Sequence, residues 1–237
     1  MEKYVVDIAN MKITQVKGLQ SVTLDSVLIS DFVNINRKTK KILDIGSGFG
    51  IISMLINKRT QAEIVGVEIN KKAYEISLEN LINNNIDKVE FINKDILKYR
   101  EFLEEQSFDI IVSNPPYFNH KDENQLKKEI DLVNARVEKT LSIKDIINLS
   151  IYLLKNKGSL YLIFRTERLI EIIGYLKDTC LEIKKLKPVY TKIGDNKALI
   201  SMVEIVKSAK SGFVLENPIY IYGNDGEKSE YIKKLYR

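Results

Sequence analysis

The tetrapeptide Asn114-Pro115-Pro116-Tyr117 is the part of this sequence with the clearest chemical potential. Its two prolines lack backbone N–H donors and leave carbonyl acceptors in rigidly defined directions. A nucleobase amine or a side-chain amide is a poor nucleophile, because its nitrogen lone pair is drawn into a π system. If the Asn114 side-chain oxygen and the Pro115 carbonyl accept its N–H bonds, the nitrogen is held toward an electrophile and its developing positive charge is stabilised. Tyr117 is suited to stacking on a planar target, so all four residues are candidate catalytic residues.

This chemistry needs no strong base when the electrophile is a methyl group on a sulfonium. That suits a chain with a single histidine, His120, to which we assign no role. The alternative is that the tetrapeptide only ends a strand and carries an ordinary aromatic residue. Its expected position opposite a glycine-rich loop favours the catalytic interpretation.

The glycine-rich loop follows an apolar, strand-like run in the sequence KILDIGSGFGI. Asp44 ends this run, and Gly46, Gly48 and Gly50 permit a tight turn and a close approach of a ligand to the backbone. The third glycine comes two positions after the second, whereas the dinucleotide-binding fingerprint places it three positions after. No Gly-Lys-Ser or Gly-Lys-Thr follows, which disfavours a phosphate-binding loop and favours a ligand without phosphates.

Two acidic residues are spaced to complete a nucleoside site at the same edge. Glu68 ends the second predicted strand, 24 residues after Asp44, where a carboxylate can accept both hydroxyls of a ribose. Asp95 follows the third predicted strand and is expected beside the adenine. The alternative is that the glycines only form turns and that both acids only cap helices. The acids and the glycines together favour the nucleoside site.

On these residues the sequence resembles the S-adenosylmethionine-dependent methyltransferases of the Rossmann-like class, and within them the NPPY group that methylates amino or amide nitrogens. A fuller resemblance, along nearly the whole chain, is to the bacterial tRNA(Val) adenine-N6 methyltransferases, which modify the adenosine 3′ of the anticodon. It is carried by ITQ and SVTLDSVLISDF near the start, NPPYF, the pair Ala135-Arg136, and the tail NPIYIYGNDGEKSEY. The first and last segments discriminate this family, because the loop and NPPY are shared across the larger group. Ser26 stands where relatives often have a small residue or a glycine, a departure that we expect to be harmless.

The resemblance implies roles for individual residues. Asp25 is expected near the methionine end of S-adenosylmethionine, Glu68 at its ribose, Asp95 at its adenine, and the tetrapeptide at the target amine. The expected cofactor-binding residues are Asp25, Asp44, Gly46, Ser47, Gly48, Gly50, Glu68, Ile69, Asp95, Ile96 and Asn114. The expected substrate-binding residues are Tyr117, Phe118 and Arg136. The expected activity is N6-methylation of an adenosine in the anticodon loop of tRNA(Val), with S-adenosylmethionine as cofactor.

The segment after the tetrapeptide, residues 120–142, is longer than most connections in a compact domain, as binding loops often are. The alternative is a solvated insertion, since its charges nearly balance. Arg136 is its single arginine and is expected to contact substrate phosphate or to brace the NPPY loop. Five lysines around a predicted hairpin are a candidate surface for RNA. They are Lys184, Lys185, Lys187, Lys192 and Lys197.

Composition narrows the chemistry further. One cysteine, Cys180, and one histidine cannot build a disulfide, a cysteine-rich zinc site or an iron–sulfur cluster. The net charge of +5 and the pI near 9.0 suit an anionic partner, yet seven of the 37 basic residues are arginine, and such a lysine excess is typical of an AT-rich coding sequence. No apolar run reaches membrane-spanning length, and the first residues lack the pattern of a signal peptide. We expect a cytoplasmic monomer that binds tRNA through its anticodon loop, without a metal ion or a membrane.

Short apolar runs alternate with segments of helical period, which is the pattern of a parallel sheet buried on both faces. The sequence predicts strands over 41–45, 63–68, 88–92, 108–113 and 159–164, and helices over 49–58, 71–84, 143–156 and 167–179. After Cys180, the runs 181–190 and 198–206 around Gly194-Asp195-Asn196 predict an antiparallel hairpin. A strand-like run in NPIYIYG and a short helix in SEYIKKLYR follow.

These elements predict an α/β Rossmann-like methyltransferase fold, with a mostly parallel seven-stranded sheet, an antiparallel C-terminal hairpin and helices on both faces. We expect a single methyltransferase domain over residues 1–237. It comprises an N-terminal extension over 1–40, a cofactor-binding and catalytic core over 41–206, and a tail over 207–237 that packs on the core.

Three other functions stay open. A glutamine-N5 methyltransferase of peptide release factors also uses NPPY, but it expects a helical domain before the cofactor loop, and the roughly 43 residues before Asp44 are too few for one. A guanine-N2 ribosomal RNA methyltransferase is a closer contender, because NPP motifs serve that amine too. The third is a non-catalytic RNA-binding module, which the intact tetrapeptide and cofactor acids disfavour.

Overall fold

Eleven β-strands and six α-helices form within the residues that this computed structural model describes, 2–19, 23–115 and 141–236. The strands are β1 (Lys3–Ile8), β2 (Met11–Val16), β3 (Lys41–Ile45), β4 (Glu63–Glu68), β5 (Val89–Asn93), β6 (Phe108–Ser113), β7 (Leu154–Arg165), β8 (Leu181–Lys192), β9 (Ile200–Lys207), β10 (Val214–Leu215) and β11 (Ile219–Tyr222). The helices are α1 (Leu24–Phe32), α2 (Ile51–Asn57), α3 (Lys71–Asn83), α4 (Ile143–Leu153), α5 (Leu169–Leu176) and α6 (Glu230–Leu235). Two 3-10 segments, Ile96–Glu101 and Thr166–Arg168, follow β5 and β7.

The central sheet has the strand order β10-β8-β9-β7-β6-β3-β4-β5, and β11 also pairs with β8. Strands β3 to β7 pair in parallel, while β9 runs antiparallel to both β7 and β8. This confirms the predicted Rossmann-like sheet of seven strands with an antiparallel C-terminal hairpin. The sheet is wider than predicted, because the short strands β10 and β11 pair in parallel with the outer edge of β8.

Alternating side chains of the sheet enter two separate cores, one on each face. Ile42 packs in the core that α1, α2, α3 and α6 cover, whereas its neighbour Leu43 packs in the core that α4 and α5 cover. Burial on both faces explains why the strands are nearly continuous apolar runs. Because β3, β4, β5 and β6 are parallel, their carboxyl ends meet at one edge of the sheet, which we call the carboxyl edge.

The segment before the sheet, predicted only as an extension, forms a hairpin of β1 and β2 that docks on α3. Asn80 of α3 is fully buried, and its side chain accepts the Thr14 N–H and donates to the Thr14 and Phe49 carbonyls. Asn84, one turn later, makes the same kind of pair with the β2 backbone two residues earlier. Val16 packs with Phe49 in a small apolar cluster. The hairpin therefore supports the glycine-rich loop.

Helix boundaries differ most from the predictions at two places, while the helix predicted over 49–58 is Ile51–Asn57. The predicted helix 143–156 is shorter, and β7 begins at Leu154 rather than at residue 159. The buried Lys207 side chain donates to two carbonyls at this junction, which closes the end of α4. The predicted helix 167–179 is a 3-10 turn followed by eight α-helical residues, Leu169–Leu176.

The tail contributes β10, β11 and α6, and Ile232 of α6 is fully buried in the core that α1 and α2 share. The division of one domain into extension, core and tail stays a prediction. None of the helices in the described part of the chain combines the length and the apolar character that crossing a membrane requires. Within the same residues, no group of three His, Cys, Asp or Glu side chains is placed to hold a metal ion.

Candidate active site

The glycine-rich loop and the Asn114 segment meet at the carboxyl edge. Strand β3 lies between β4 and β6, and Ile45 at its end pairs with Ser113 at the end of β6. The Ser113 hydroxyl donates to the Ile45 carbonyl at 2.9 Å, which ties the two strand ends together. Asn114 follows directly, so the loop and the first half of the tetrapeptide are neighbours in the structure.

The glycine-rich loop turns sharply from β3 into α2. Gly46, Gly48 and Gly50 have positive φ angles of 71°, 54° and 87°, in a backbone region that other residues rarely adopt. The N–H groups of Gly46 and Ser47 donate to the Val67 carbonyl at 2.9 and 3.2 Å. The loop is therefore held against the end of β4.

Glu68 links this loop to the next helix. One carboxylate oxygen accepts the Gly48 N–H and the other accepts the Asn70 N–H, each at 2.8 Å. Asn70 in turn caps α3, because its side chain accepts the Ala73 N–H. Glu68 itself is therefore not the helix cap that the alternative interpretation made of it. A carboxylate has about four acceptor positions, so about two remain for the hydroxyls of a ligand.

Asp44 is completely buried and only half satisfied. Its Oδ2 accepts the Ser53 N–H at 3.2 Å and the Ser53 hydroxyl at 2.7 Å, whereas its Oδ1 has no partner among the described residues. Burial raises the pKa of Asp44 from 3.8 to about 7 against the lowering effect of the Ser53 hydrogen bonds, and the Glu68 charge raises it further. A cationic donor that approached Oδ1 would favour the ionised form and lower this pKa.

Three buried oxygen atoms at this edge lack a hydrogen-bond partner within the described part of the chain. They are Asp44 Oδ1, Ser47 Oγ and Asn114 Oδ1. An unsatisfied buried polar group costs about 1–3 kcal/mol. Their clustering indicates a ligand with several N–H or O–H donors. S-adenosylmethionine carries an ammonium group and ribose hydroxyls, so the residues present fit this cofactor.

Phe91 packs beneath the loop, a contact that the sequence patterns above do not predict. A Cβ atom at Gly66 would lie 2.4 Å from the Phe91 ring, and one at Gly50 would lie 2.5 Å from it. Gly66 pairs with Phe91 across β4 and β5, and with Asp44 across β3 and β4. A glycine inside a predicted strand is a known signal of close approach by another group. Gly66 is such a glycine, so this signal was present in the sequence.

The other expected cofactor residues lie in different surroundings. Asp25 is half-buried in the first turn of α1, and its charge adds to burial in raising the pKa of Tyr236. Ile69 is 46% exposed at the end of β4, where it can contact a ligand. Asp95 caps the following 3-10 segment, which is the role that the alternative interpretation gave it. The Ile96 side chain is buried in the core that α4 and α5 cover.

Several residues that the sequence singles out lie outside the residues that the structure describes. They are Pro116, Tyr117 and Phe118, with His120 and Arg136 further along the chain. The substrate-binding roles of Tyr117, Phe118 and Arg136 stay predictions.

Three of the five lysines expected to face RNA have partners inside the protein. Lys184 donates to two backbone carbonyls, and Lys185 and Lys187 form ion pairs with glutamates at 3.1 and 3.2 Å. Lys192 and Lys197 are exposed near the tip of the β8–β9 hairpin. The basic surface is therefore smaller than predicted. The three lysines further from the hairpin tip are bound to glutamates or to backbone carbonyls of the protein itself.

Comparison with known proteins agrees with a methyl-transfer site. The model of the methyltransferase small domain family matches residues 24–184, which include the glycine-rich loop and Asn114. The solved structure of a predicted O-methyltransferase from Agrobacterium tumefaciens has a TM-score of 0.70 to this chain at 18% identity, and the match covers 90% of this chain and 95% of that one. At this identity the similarity shows the fold alone, and it is the expected fold.

Relatives of described activity differ in how much of the chain they match. A tRNA1(Val) (adenine(37)-N6)-methyltransferase of Actinobacillus pleuropneumoniae is 28% identical over 224 residues, which cover 92% of this chain and 89% of that protein. A release factor glutamine methyltransferase of Fusobacterium nucleatum is 34% identical over 107 residues, which cover 44% of this chain and 30% of that protein. The first similarity extends over nearly the whole chain, and the second over less than half of it.

Proposed function

Because the chain belongs to the methyltransferase small domain family, we propose that it transfers a methyl group from S-adenosylmethionine to the N6 amine of an adenosine in tRNA(Val), 3′ of the anticodon. The family depends on S-adenosylmethionine, which confirms the expected cofactor. The observation that carries the proposal is the buried Asn114 Oδ1 beside the glycine-rich loop, which has no hydrogen-bond partner among residues 2–19, 23–115 and 141–236.

The residues around the loop would hold the cofactor through its amino acid and its ribose. When bound, S-adenosylmethionine supplies an electrophilic methyl group on a positively charged sulfur. The Asp44 Oδ1 can accept from an ammonium group, and the Ser47 hydroxyl can accept or donate. Glu68 keeps acceptor positions for ribose hydroxyls, while its bonds to the loop and to α3 fix its orientation. Asp25 and Asp95 complete the proposed set at the methionine and adenine ends.

Asn114 and Pro115 would hold the target amine. The Asn114 side-chain oxygen and the Pro115 carbonyl are two acceptors, which match the two N–H bonds of an exocyclic amine. Accepting both frees the nitrogen lone pair from conjugation and stabilises the positive charge that develops as the N–C bond forms. The methylated nitrogen is strongly acidic and releases its proton readily, so no strong base is required. We assign the stacking on the base to Tyr117.

The choice of a tRNA adenosine rests on the extent of the similarity. A match over 92% of the chain has to include residues outside 24–184, the range that the family model matches. The release factor match is shorter than that range. An anticodon loop also suits a site that must take the base out of its stack, since unstacking costs least where the base is unpaired. A release factor glutamine and a ribosomal RNA guanine are the alternative acceptors, and the 34% identity favours the former of these two.

Methyl transfer from radiolabelled S-adenosylmethionine to three acceptors in parallel tests this substrate. The acceptors are unmodified tRNA(Val) transcript, ribosomal RNA and a peptide release factor. We expect label in the tRNA alone, and its loss when the adenosine 3′ of the anticodon is replaced by guanosine. Label in ribosomal RNA or in the release factor would contradict the substrate and leave the methyltransferase chemistry in place.

The proposal includes a single-domain monomer that acts in the cytoplasm, where tRNA is found. Size-exclusion chromatography with light scattering tests the monomer. We expect a mass near 27.3 kDa at every concentration, and a constant mass near twice that value would contradict the monomer.

A further inference from the structure

Three tyrosines and a lysine form a compact group on the outer part of the sheet. They are Tyr190 and Lys192 of β8 with Tyr220 and Tyr222 of β11, and we call them the tyrosine array. Tyr190 pairs with Tyr220, and Lys192 with Tyr222, in the parallel register of the two strands. Residues two apart on a strand share a face, so all four side chains project from the same side of the sheet.

That side of the sheet is the one that α4 and α5 cover further back. Val189, Ile219 and Ile221 alternate with the tyrosines and are buried in the core of the opposite face. Leu181 and Leu186 of β8 pack in the core of the α4 and α5 face, and the described members of that core include none of the array. The array therefore lies beyond the end of this helical layer.

The array stands beside the carboxyl edge and projects past it. The strand register relates the end of β6 to a position on β8. Ser113 of β6 pairs with Leu162 of β7, which pairs with Val203 of β9, which in turn pairs with Leu186 of β8. Tyr190 is four residues further along β8, about 13 Å beyond that level. Strand β8 is three strands away from β6 in the sheet, or about 14 Å. The resulting separation of about 19 Å is spanned by about six stacked nucleotides at about 3.4 Å each.

The rings of the array are open to further stacking. The Tyr190 and Tyr220 centroids are 5.8 Å apart with an interplanar angle of 38°, and both rings are partly exposed. Tyr222 is 39% exposed. Aromatic side chains on neighbouring strands of a sheet are a common platform for unpaired bases.

Two lysines near the array are available to a phosphate backbone, although the turn after β11 also carries the exposed acids Asp225 and Glu227. The exposed side chains of Lys192 and Lys197 form no ion pair or hydrogen bond with any residue of the described ranges. The acidic residue at the tip of this hairpin is Asp195, whose carboxylate accepts the Lys192 backbone N–H. Available cations next to exposed rings are typical of proteins that bind single-stranded nucleic acid.

We propose that the tyrosine array binds unpaired nucleotides of the same RNA loop, several positions away from the methylated base, by stacking their bases on its three rings while Lys192 contacts a phosphate. The inference rests on the proposed function in one respect, that an RNA is presented at the carboxyl edge. Turning a base out toward Asn114 requires the RNA loop to be held open. Stacking on the array would hold the loop at a second point, about 19 Å from that base.

Fluorescence anisotropy with a labelled single-stranded RNA of about eight nucleotides, carrying the anticodon-loop sequence of tRNA(Val), tests the array. Tyr190→Ala and Tyr220→Ala should each weaken binding about 5- to 150-fold, as expected for the loss of one stacked base. Tyr190→Phe should bind like the wild type, because the ring alone stacks. Lys192→Ala should lower the slope of log affinity against log salt by about 0.7.

The chain offers a matched control and a second signal. Phe213 is 56% exposed and lies beside the same outer edge of β8, just before β10, so Phe213→Ala removes an exposed aromatic ring outside the array and should leave binding unchanged. The sequence has no tryptophan, so its intrinsic fluorescence comes from tyrosine. Unlabelled RNA should quench this emission in the wild type and quench it less in Tyr190→Ala. If a variant at Tyr220 does not fold, the exposed Tyr222→Ala and Lys192→Glu carry the same test.

The outcomes separate the array from the proposed function. Wild-type RNA affinity in the tyrosine-to-alanine variants, or an equal loss in Phe213→Ala, would overturn the array. Unchanged methylation of tRNA(Val) by these variants at limiting tRNA would overturn it as well, while the proposed function stands. Array-dependent RNA binding without methylation of tRNA(Val) would support the array and refute that substrate.

Discussion

Strand β6 has polar side chains at both of its ends, and the two ends differ in how completely these groups are satisfied. At its start, the Asp109 carboxylate accepts the backbone N–H groups of Lys40 and Lys41 at 2.8 and 2.9 Å and the Lys155 ammonium at 2.9 Å. Just past its end, Asn114 has a buried side-chain oxygen without a partner in the described part of the chain. We call the start of β6 the saturated edge, because its acceptors have hydrogen-bond partners. We call the end of β6 the unsaturated edge, because the described residues leave a buried acceptor there without one.

The pKa values of the carboxyl groups at these two edges are shifted in opposite directions. Burial alone would raise the pKa of Asp109, but its hydrogen bonds to Lys155 and to two amides hold that pKa below the ordinary value. Burial prevails at Asp44, whose pKa rises to about 7. The fold therefore completes its own hydrogen bonding at the start of β6. At the end of β6, the described residues leave buried oxygen atoms without partners, and we propose that cofactor and substrate supply them.

The largest expected effect is the loss of methyl transfer in Asn114→Ala. Removing one preorganised group at a reacting centre lowers kcat about 10²–10³-fold. The target amine would lose one of its two acceptors, so we expect turnover to fall to background. Affinity for S-adenosylhomocysteine, measured by calorimetry, should be retained. Normal turnover in this variant would end the proposed mechanism.

Asp109→Ala is the matched control at the opposite end of the same strand. It leaves two backbone amides without their acceptor and should lower the free energy of unfolding. Its kcat, measured below the unfolding transition, should equal that of the wild type. A similar loss of kcat in both variants would mean that the two ends of β6 do not differ in function.

The next largest effect is expected for Gly48→Leu, which should eliminate cofactor binding. Gly48 has a φ of +54°, and no atom of the described residues lies within 4 Å of the place where a Cβ would point, so a leucine side chain would occupy space that we propose for the cofactor. We expect the affinity for S-adenosylhomocysteine to fall more than about 100-fold, or about 2.7 kcal/mol. Gly226 in the tail shares the positive φ, at +80°, and the same lack of described atoms around the Cβ position. Gly226→Leu should therefore bear the same backbone strain yet bind the cofactor normally, and weak binding by both would point to strain alone.

Asp44→Asn tests the pH dependence at the unsaturated edge. The pKa of Asp44 is about 7 in the folded protein against the ordinary value of 3.8, so between these values the folded state holds a proton that the unfolded chain has released. The stabilisation from this proton is complete below about pH 3.8 and is lost as the pH rises through about 7. Relative to Asp44→Asn, the wild type should lose about 2–3 kcal/mol of unfolding free energy between pH 5 and pH 8. Urea unfolding without cofactor measures this difference.

Asp109→Asn is the control for that titration. Because the pKa of Asp109 is lowered, its contribution to stability is present above its unfolded pKa and is lost only as the pH falls through its folded value. That window lies below pH 5, so the variant should change the unfolding free energy equally at pH 5 and pH 8. If Asp44→Asn keeps the wild-type pH dependence, another group is responsible for it.

The smallest effect is expected for Lys155→Ala at the saturated edge. The Lys155 side chain is 41% exposed, and Asp109 keeps its two backbone donors when the ion pair is removed. We expect a loss of about 0.2–1 kcal/mol that shrinks at high salt, with no change in kcat. Thermal unfolding at low and at high salt checks this, and a loss of several kcal/mol would show that the edge depends on this pair.

The sequence predicts those parts of the site that local constraints impose. The glycine-rich turn is such a part, because its positive φ angles require glycines at fixed spacing. The end of β6 is another, because prolines interrupt the strand there. The docking of the β1–β2 hairpin could not be predicted in this way. It depends on Asn80 meeting Thr14 across 66 positions of the chain, and a buried asparagine in a helix has no local signature.

The lysines of the β8–β9 hairpin show a second limit. Lys185 and Lys192 look alike in sequence, but Lys185 meets Glu204 across the β8–β9 pair, whereas Lys192 lies near the exposed tip. Which lysines are available to RNA depends on strand register. The alternation of residue types indicates the face of the sheet on which a lysine lies, but not the residue that it meets on the neighbouring strand. The tyrosine array depends on register in the same way.

Nucleoside mass spectrometry of tRNA(Val) transcript, after incubation with the protein and S-adenosylmethionine, identifies the atom that is methylated. The two acceptors at Asn114 and Pro115 are suited to an exocyclic amine. We therefore expect N6-methyladenosine, at the position 3′ of the anticodon, as the product. Methylation at a ring nitrogen or at a ribose hydroxyl of the same transcript would contradict this mechanism, because neither group carries the two N–H bonds that the two acceptors would receive.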